Sequence, residues 1–401
     1  MMIGNPTPRH IKLTEYTPLH LPNDALSNQE AQQLWQQYRQ QIAIEAPSFK
    51  TDDQWRLTAQ GWVGQIPLTR QLTLVLQPKV PLDNLFRMLE YAYNLQSFRF
   101  LDGLVQTESL QDFYQRLASL LAKGVLERAR KGLNQAYHQK AETLPYVRGR
   151  LQLAPTYQTS AKIELSCEYE ENSSDIEDNQ ILAWTLFRIA RGGVCQEPTL
   201  GRVRRAYRAL QGRVTTKPHL SNACLYRFYD RLNQDYRPLH ALCHFFLEQS
   251  GPSHTIGNRT MIPFIVDMAR LYEKFVAAWL KAHLPPHLQL KVQEKVTISA
   301  QNKLHFDMDL VVYDAKTGQV RYVLDTKYKA STAPLTSDIQ QMITYAYTKK
   351  CNEAILIYPI APQQPFVETI EGIRVRALPF SLADNLEENG QAFLEALFVE
   401  N

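Results

Sequence analysis

Two runs that alternate apolar and polar residues, 304–313 and 319–328, flank the turn-forming stretch Asp314-Ala-Lys-Thr-Gly318 and predict an antiparallel β-hairpin. Strand side chains alternate. A turn about Thr317 therefore sets Asp309 opposite Asp325 and Asp307 opposite Lys327, all on one face. Ahead of the hairpin, apolar residues at helical spacing over 264–284 (Met268, Leu271, Phe275, Trp279) predict an amphipathic helix that carries Glu273 and stops at Pro285-Pro286. A strand-like run follows at 289–298. After the hairpin come a helix over about 336–349, entered at Thr336 or Ser337, and an apolar strand at 353–358. The order is helix, three antiparallel strands, helix, strand.

The same reading divides the rest of the chain. Residues 1–105 form an α+β module, with strands at 11–16, 55–58, 63–66 and 72–78 and helices at 28–42 and 85–94, the second capped by Asp83 or Asn84. Residues 106–255 are mainly helical (112–129, 179–191, 200–210, 239–249), with an extended stretch at 148–169 and a capping-box pattern from Ser174 to Glu177. Residues 256–401 make a C-terminal α/β domain with a mixed central sheet. At 401 residues the chain is long enough for two or three domains with real cores.

Composition removes several function classes. Net charge is only +4, so the molecule as a whole is not a polycation. No leader pattern and no run long enough to span a bilayer stands out, which predicts a soluble, cytoplasmic protein with no membrane partner. Five dispersed cysteines without C-x-x-C spacing argue against a disulfide framework and a structural zinc site. No GxxxxGK[ST] occurs, which excludes a P-loop. His240 and His244 have helical zinc spacing but lack a third ligand, and read as ordinary core or surface histidines. The acids within 168–178 read as a solvated loop feeding a helix cap. Residues 188–237 hold eleven Lys or Arg against three Asp or Glu. Arg204, Arg205 and Arg208 there suit phosphate contacts, or an exposed helix face, or docking on an acidic protein.

Chemistry concentrates on the hairpin. Three carboxylates and an ammonium on one half-buried face cost several kcal/mol unless they are paired or hold a metal. Asp309 and Asp325 suit a hard divalent cation such as Mg²⁺, with Mn²⁺ possible, which takes oxygen ligands and keeps waters. Lys327 would orient or deprotonate the attacking water. Asp307 reads as a structural partner of Lys327 rather than a ligand.

The spelling Asp309, Asp325-Thr326-Lys327 resembles the PD-(D/E)xK nuclease superfamily, with Met308 where a proline often stands. The element order is similar to that superfamily's core, and Gln341-Met-Ile-Thr-Tyr345 is similar to the Q-x-x-x-Y element of its RecB-like branch. Gln77-Pro-Lys79, Gly132 to Tyr137, Arg148-Gly-Arg150, the acidic stretch 169–178 and residues 268–276 extend the likeness over the chain. Together they resemble the McrC family, the nuclease subunit of the modified-cytosine McrBC restriction system. The resemblance implies a Mg²⁺-dependent DNA endonuclease whose N-terminal part docks on a hexameric AAA+ GTPase of the McrB type and stimulates it. It further implies Asp309, Asp325, the Thr326 carbonyl and Glu273 around the metal, Lys327 on the water, and Gln341 and Tyr345 steadying water or phosphate. Nothing in the sequence resembles a modified-base pocket with aromatic walls, so target recognition is expected in a partner. Two alternatives stand beside this reading: a stand-alone RecB-like repair nuclease, and an adaptor with a degenerate site that only activates a motor.

Overall fold

The computed structural model describes residues 9–69, 71–95, 109–152, 165–251, 254–256, 259–261, 263–299, 304–329, 334–362 and 364–399. Its elements in chain order begin with β1 (Arg9–Thr14), β2 (Leu19–Leu21), α1 (Asn28–Tyr38), β3 (Ile42–Glu45), β4 (Trp55–Ala59), β5 (Trp62–Pro67), β6 (Leu72–Gln77), α2 (Leu82–Ala92) and α3 (Leu110–Lys131). Next come β7 (Ala136–Leu144), β8 (Arg150–Leu151), β9 (Leu165–Ser173), α4 (Glu177–Arg191), α5 (Thr199–Leu210) and α6 (Tyr236–Glu248). The last part holds β10 (His254–Ile256), β11 (Arg259–Met261), β12 (Phe264–Asp267), α7 (Met268–His283), β13 (Leu288–Ser299), β14 (Leu304–Asp314), β15 (Val320–Thr326), α8 (Thr336–Lys349), β16 (Glu353–Tyr358), β17 (Phe366–Ile370), β18 (Ile373–Pro379) and α9 (Leu386–Phe398). The chain is thus a mixed α/β protein with several sheets.

It divides into two compact units, one of residues 1–113, 251–256 and 263–401, the other of residues 114–250 and 257–262. The sequence reading drew three domains, separating 1–105 from 256–401; here those ends share one unit. The reason is β12. Residues 264–267, expected as the first turn of a helix, form a strand antiparallel to β5, with Ile265 opposite Gly64. Gly64 has φ +137°, and a Cβ there would lie 2.1 Å from the Phe264 carbonyl oxygen, so only glycine lets the two backbones approach. Asp267 then caps α7 by accepting from the N–H groups of Ala269 and Arg270.

Within this first unit, β1-β6-β5-β12 form one sheet, β1 and β6 parallel and the rest antiparallel; β2-β4-β3 form a second. Leu13, Leu34, Tyr38, Leu57, Leu74 and Ile265 fill a shared core between them. β3 falls where helix 28–42 was expected to end. A six-stranded mixed sheet runs β13-β14-β15-β16-β18-β17, antiparallel from β13 to β15, parallel through β16 and β18, antiparallel again at β17. Met308, Val311, Val323, Met342, Leu356 and Val375 make its core on the α8 side.

In the second unit, α4 packs against α5 and α6, and β7-β9-β8 form an antiparallel sheet in which β7 and the last four residues of β9 fall outside the extended stretch expected at 148–169. Residues 153–164 of the expected extended stretch lie outside the described residues. The expected capping box is not formed, since Ile176 is the N-cap of α4 and makes no side-chain cap bond. Asp178 is not solvated but buried, paired with Arg227. His240 is a satisfied core histidine, 2.8 Å from the Tyr229 hydroxyl and 3.0 Å from the Asp178 carbonyl. Arg204, Arg205 and Arg208 are exposed on α5. Among the described residues, no helix is long and apolar enough to cross a membrane.

Candidate functional site

The hairpin forms in the expected register, with Leu310 opposite Leu324 and Val311 opposite Val323, and Gly318 takes the left-handed turn position at φ +70°. The main-chain ladder stops at Leu310 and Leu324. Beyond it the Thr326 N–H and hydroxyl donate instead to Oδ2 of Asp309, at 3.3 and 3.4 Å. A carboxylate has taken the place of a backbone carbonyl, and the strands part around the acids. The Lys327 N–H stays on the next strand, donating to the Ile357 carbonyl at 2.8 Å.

Asp325 is 2% exposed, and its Oδ2 lies 2.7 Å from Nζ of Lys327. That oxygen is buried and has no well-aligned hydrogen bond; the close ammonium offsets its charge without satisfying its lone pairs. Nζ of Lys327 also donates to Gln341 at 3.2 Å. Gln341 donates to the Tyr345 hydroxyl at 2.8 Å, and that hydroxyl donates to the Asp307 carbonyl at 3.2 Å. Gln341 and Tyr345 sit one turn apart on α8, so one helix face reaches both the lysine and β14. Glu273 on α7 accepts from Gln293 at 3.1 Å and lies close enough to Asp309 to feel its charge.

Electrostatically the cluster holds more negative charge than it can neutralise. Burial and then Asp309 push the Glu273 carboxyl up; burial pushes Asp309 up against the Thr326 bonds and Lys327. Asp325 is pushed up to about 6, by burial first and by Asp309 and Asp338, with Lys327 pulling the other way. Burial pulls the Lys327 ammonium down, but Asp325, Asp338 and Asp309 together leave it above the usual lysine value.

Two expectations change. Asp307 does not pair with Lys327: β15 ends at Thr326, and Asp307 is an exposed side chain 4.0 Å from Lys295, its cross-strand neighbour on β13, and 3.7 Å from His305. The third buried carboxylate is Asp338 instead, on the first turn of α8, 4.0 Å from Lys327 and 3.3 Å from Lys329. Its spacing from Gln341, three residues on, was the available signal. Gln293 was also missed. The register on either side, Val292 with Leu310 and Glu294 with Met308, puts it opposite Asp309, and its φ of +49° breaks the regular strand there. No pattern in the sequence marks that kink.

The donor set suits a small hard cation. Asp309, Asp325 and Glu273 offer carboxylate oxygens, and the Asp325 oxygen beside Lys327 is buried. No three acids, histidines or cysteines among the described residues converge into a full cage. Two carboxylates completed by waters is the usual Mg²⁺ arrangement, so this set fits it.

The chain is 26% identical over 219 residues to the type IV methyl-directed restriction enzyme EcoKMcrBC of Escherichia coli K12, a match over 52% of this chain that spans 61% of the length of that relative. Its fold resembles that of one chain in a refined half-complex from the tetradecameric assembly of Thermococcus gammatolerans McrB AAA+ hexamers with bound McrC, with a TM-score of 0.59, 18% identity, and coverage of 97% of this chain and 100% of that one. Residues 57–359 match the McrBC 5-methylcytosine restriction system component, and the chain belongs to that family.

Proposed function

We propose that this chain is the DNA-cutting subunit of an McrBC-like system: a Mg²⁺-dependent endonuclease of PD-(D/E)xK type that acts with, and stimulates, an AAA+ GTPase partner. The observation that carries this reading is the meeting of Asp309, Asp325 and Lys327 where two strands part, with Lys327 2.7 Å from Asp325. The relatives support the partner half, since one is a methyl-directed restriction enzyme and the other an McrC bound to McrB AAA+ hexamers.

Asp309, Asp325, the Thr326 carbonyl and Glu273 would hold the cation. Bound there, it supplies Lewis-acid charge to a scissile phosphate. Lys327 donates rather than accepts in this arrangement, so it orients the attacking water and offsets charge building on the phosphate. Gln341 fixes the ammonium, Tyr345 fixes Gln341, and the Asp307 carbonyl anchors Tyr345 to the strand that carries Asp309. Asp338 restrains Lys327 and Lys329 together from the other side.

Cleavage of methylated and unmethylated plasmid, with and without an McrB-type GTPase and GTP, tests the reading. Asp325→Ala and Lys327→Ala are expected to abolish cutting while GTPase stimulation persists. Retained cutting by purified Asp325→Ala would remove the nuclease assignment. Cutting of DNA ends without any GTPase would favour the stand-alone repair nuclease, and an intact chain that gives no Mg²⁺ or Mn²⁺ binding heat would favour the adaptor.

A further inference from the structure

Beside the acids, and within the same compact unit, lies a cavity of about 470 Å³ whose lining includes Tyr16, Lys79, Tyr328, Lys329, Ile360 and Leu382. Tyr328 follows Lys327 in the chain, and Lys329, which lines the cavity, shares Asp338 with Lys327, so the cavity adjoins the site through that ion pair. Its size falls in the range of small-molecule sites. The lining is mostly apolar, with two lysines and no carboxylate.

The two aromatic rings are held in place by unusual means. Tyr16 adopts φ +53°, a conformation sparsely populated for a bulky residue and one that structures retain where surrounding contacts over-determine it. Its N–H donates to the Ala59 carbonyl at 2.9 Å. Its hydroxyl lies over Gly61, where a Cβ would come within 2.4 Å of that oxygen. Even so, Tyr16 is 46% exposed, so the strain does not serve to bury the ring. The Tyr328 hydroxyl donates to Oε2 of Glu15 at 3.2 Å, and the Lys79 N–H donates to the same oxygen at 3.1 Å. Glu15 is fully buried and thus ties both lining residues to the end of β1. The Lys79 ammonium stands 5.9 Å from the Tyr16 ring centre.

An apolar protein side chain would fill such a cavity without needing cations at its rim. A base attached to phosphates uses both. We propose that this cavity receives one nucleobase of the DNA strand held at the acids, unstacked from its neighbours, with Lys79 and Lys329 on the adjoining phosphates. The inference rests on the nuclease reading and adds a strand-positioning site to it. Stacking on tyrosine tolerates any base, so the site fixes the strand and does not read methylation.

The test uses the full chain carrying Asp325→Asn, to leave DNA uncut, and short single-stranded oligonucleotides with 5-iodouracil at each position in turn. Photocrosslinks mapped by mass spectrometry are expected on Tyr16 or Tyr328 from one position or two adjacent ones. Tyr16→Ala should weaken binding of that oligonucleotide about tenfold, and Tyr16→Trp should keep it. Ala361→Trp, which places an indole at the cavity lining, should match Tyr16→Ala without lowering the melting temperature. Adducts found only elsewhere, or parental binding by both Tyr16→Ala and Ala361→Trp, overturn the proposal. So does a loss of GTPase-partner association with DNA binding unchanged, which would make the occupant a protein side chain. Crosslinking needs no cleavage, so the two readings fail separately. A parent chain inert with Mg²⁺ but crosslinked at Tyr16 sinks the nuclease and leaves a nucleic-acid site; a cutting chain without these adducts does the reverse.

Discussion

The Tyr328 hydroxyl donates to Oε2 of Glu15 at 3.2 Å, joining the residue after Lys327 to the end of β1 across 313 positions of sequence. Glu15 is fully buried, and burial raises its carboxyl above the usual value against the bonds from Lys79 and Tyr328. Glu15→Ala removes the buried acceptor of two part-buried donors and is expected to cost about 1–3 kcal/mol. Glu15→Gln keeps an acceptor and adds no charge, so it should cost less. Urea midpoints at constant m-value measure both; equal losses would contradict the account.

Asp325 makes stability depend on pH in a stated direction. Its folded value, about 6, lies above the ordinary 3.8, so the folded chain holds this proton more tightly than the unfolded one. The resulting stabilisation is fully present below the ordinary value and lost as pH rises through the folded value, a change of about 3 kcal/mol. Metal-free chain should therefore lose stability over that window, Asp325→Asn should flatten the loss, and Mg²⁺ should reduce it. Denaturation across a pH series checks this, and an Asp325→Asn slope equal to the parent's would refute the assignment.

Gly64→Ala is expected to destabilise the first unit by about 3 kcal/mol or more, because the new Cβ meets the Phe264 carbonyl at 2.1 Å and φ +137° strains any L residue. The same change at Gly318, where no atom lies within 4 Å of the added Cβ, should cost less. Thermal melts of the two variants side by side give the comparison.

Tyr345→Phe cuts the link from Gln341 to the Asp307 carbonyl without touching an acid. Loosened positioning of Lys327 should lower cleavage by up to about a hundredfold. Mg²⁺ binding heat should stay at the parental level. A parallel fall in metal affinity would mean that Tyr345 supports the acids rather than the lysine.

The hairpin was legible because its information is local. Alternation over residues 304–328 fixes which side chains share a face, and the turn residues fix the register, so the pairing of Leu310 with Leu324 follows from the sequence. α8 begins at Thr336 and ends at Lys349, as its apolar period predicts, although Leu335 and not a hydroxyl residue is its N-cap. The helix expected from residue 264 begins only at Met268, because Phe264, Ile265 and Val266 are apolar in either state and pairing with β5 decides for strand. β3 and β7 went unseen for a related reason. The first is short, and the second is almost wholly exposed, so neither shows an apolar stripe.

By itself the sequence determined the acids and lysine of the hairpin, their common face and the helix that carries Gln341 and Tyr345, since each depends on spacing along one strand or one helix. Only the tertiary structure decided that Asp338 rather than Asp307 meets Lys327, that Gln293 kinks opposite Asp309, and that Tyr16 and Tyr328 line one cavity. Those relations depend on where a strand ends, on a backbone that leaves its regular conformation, and on chain segments hundreds of residues apart. Periodicity carries no record of which distant segments pack together.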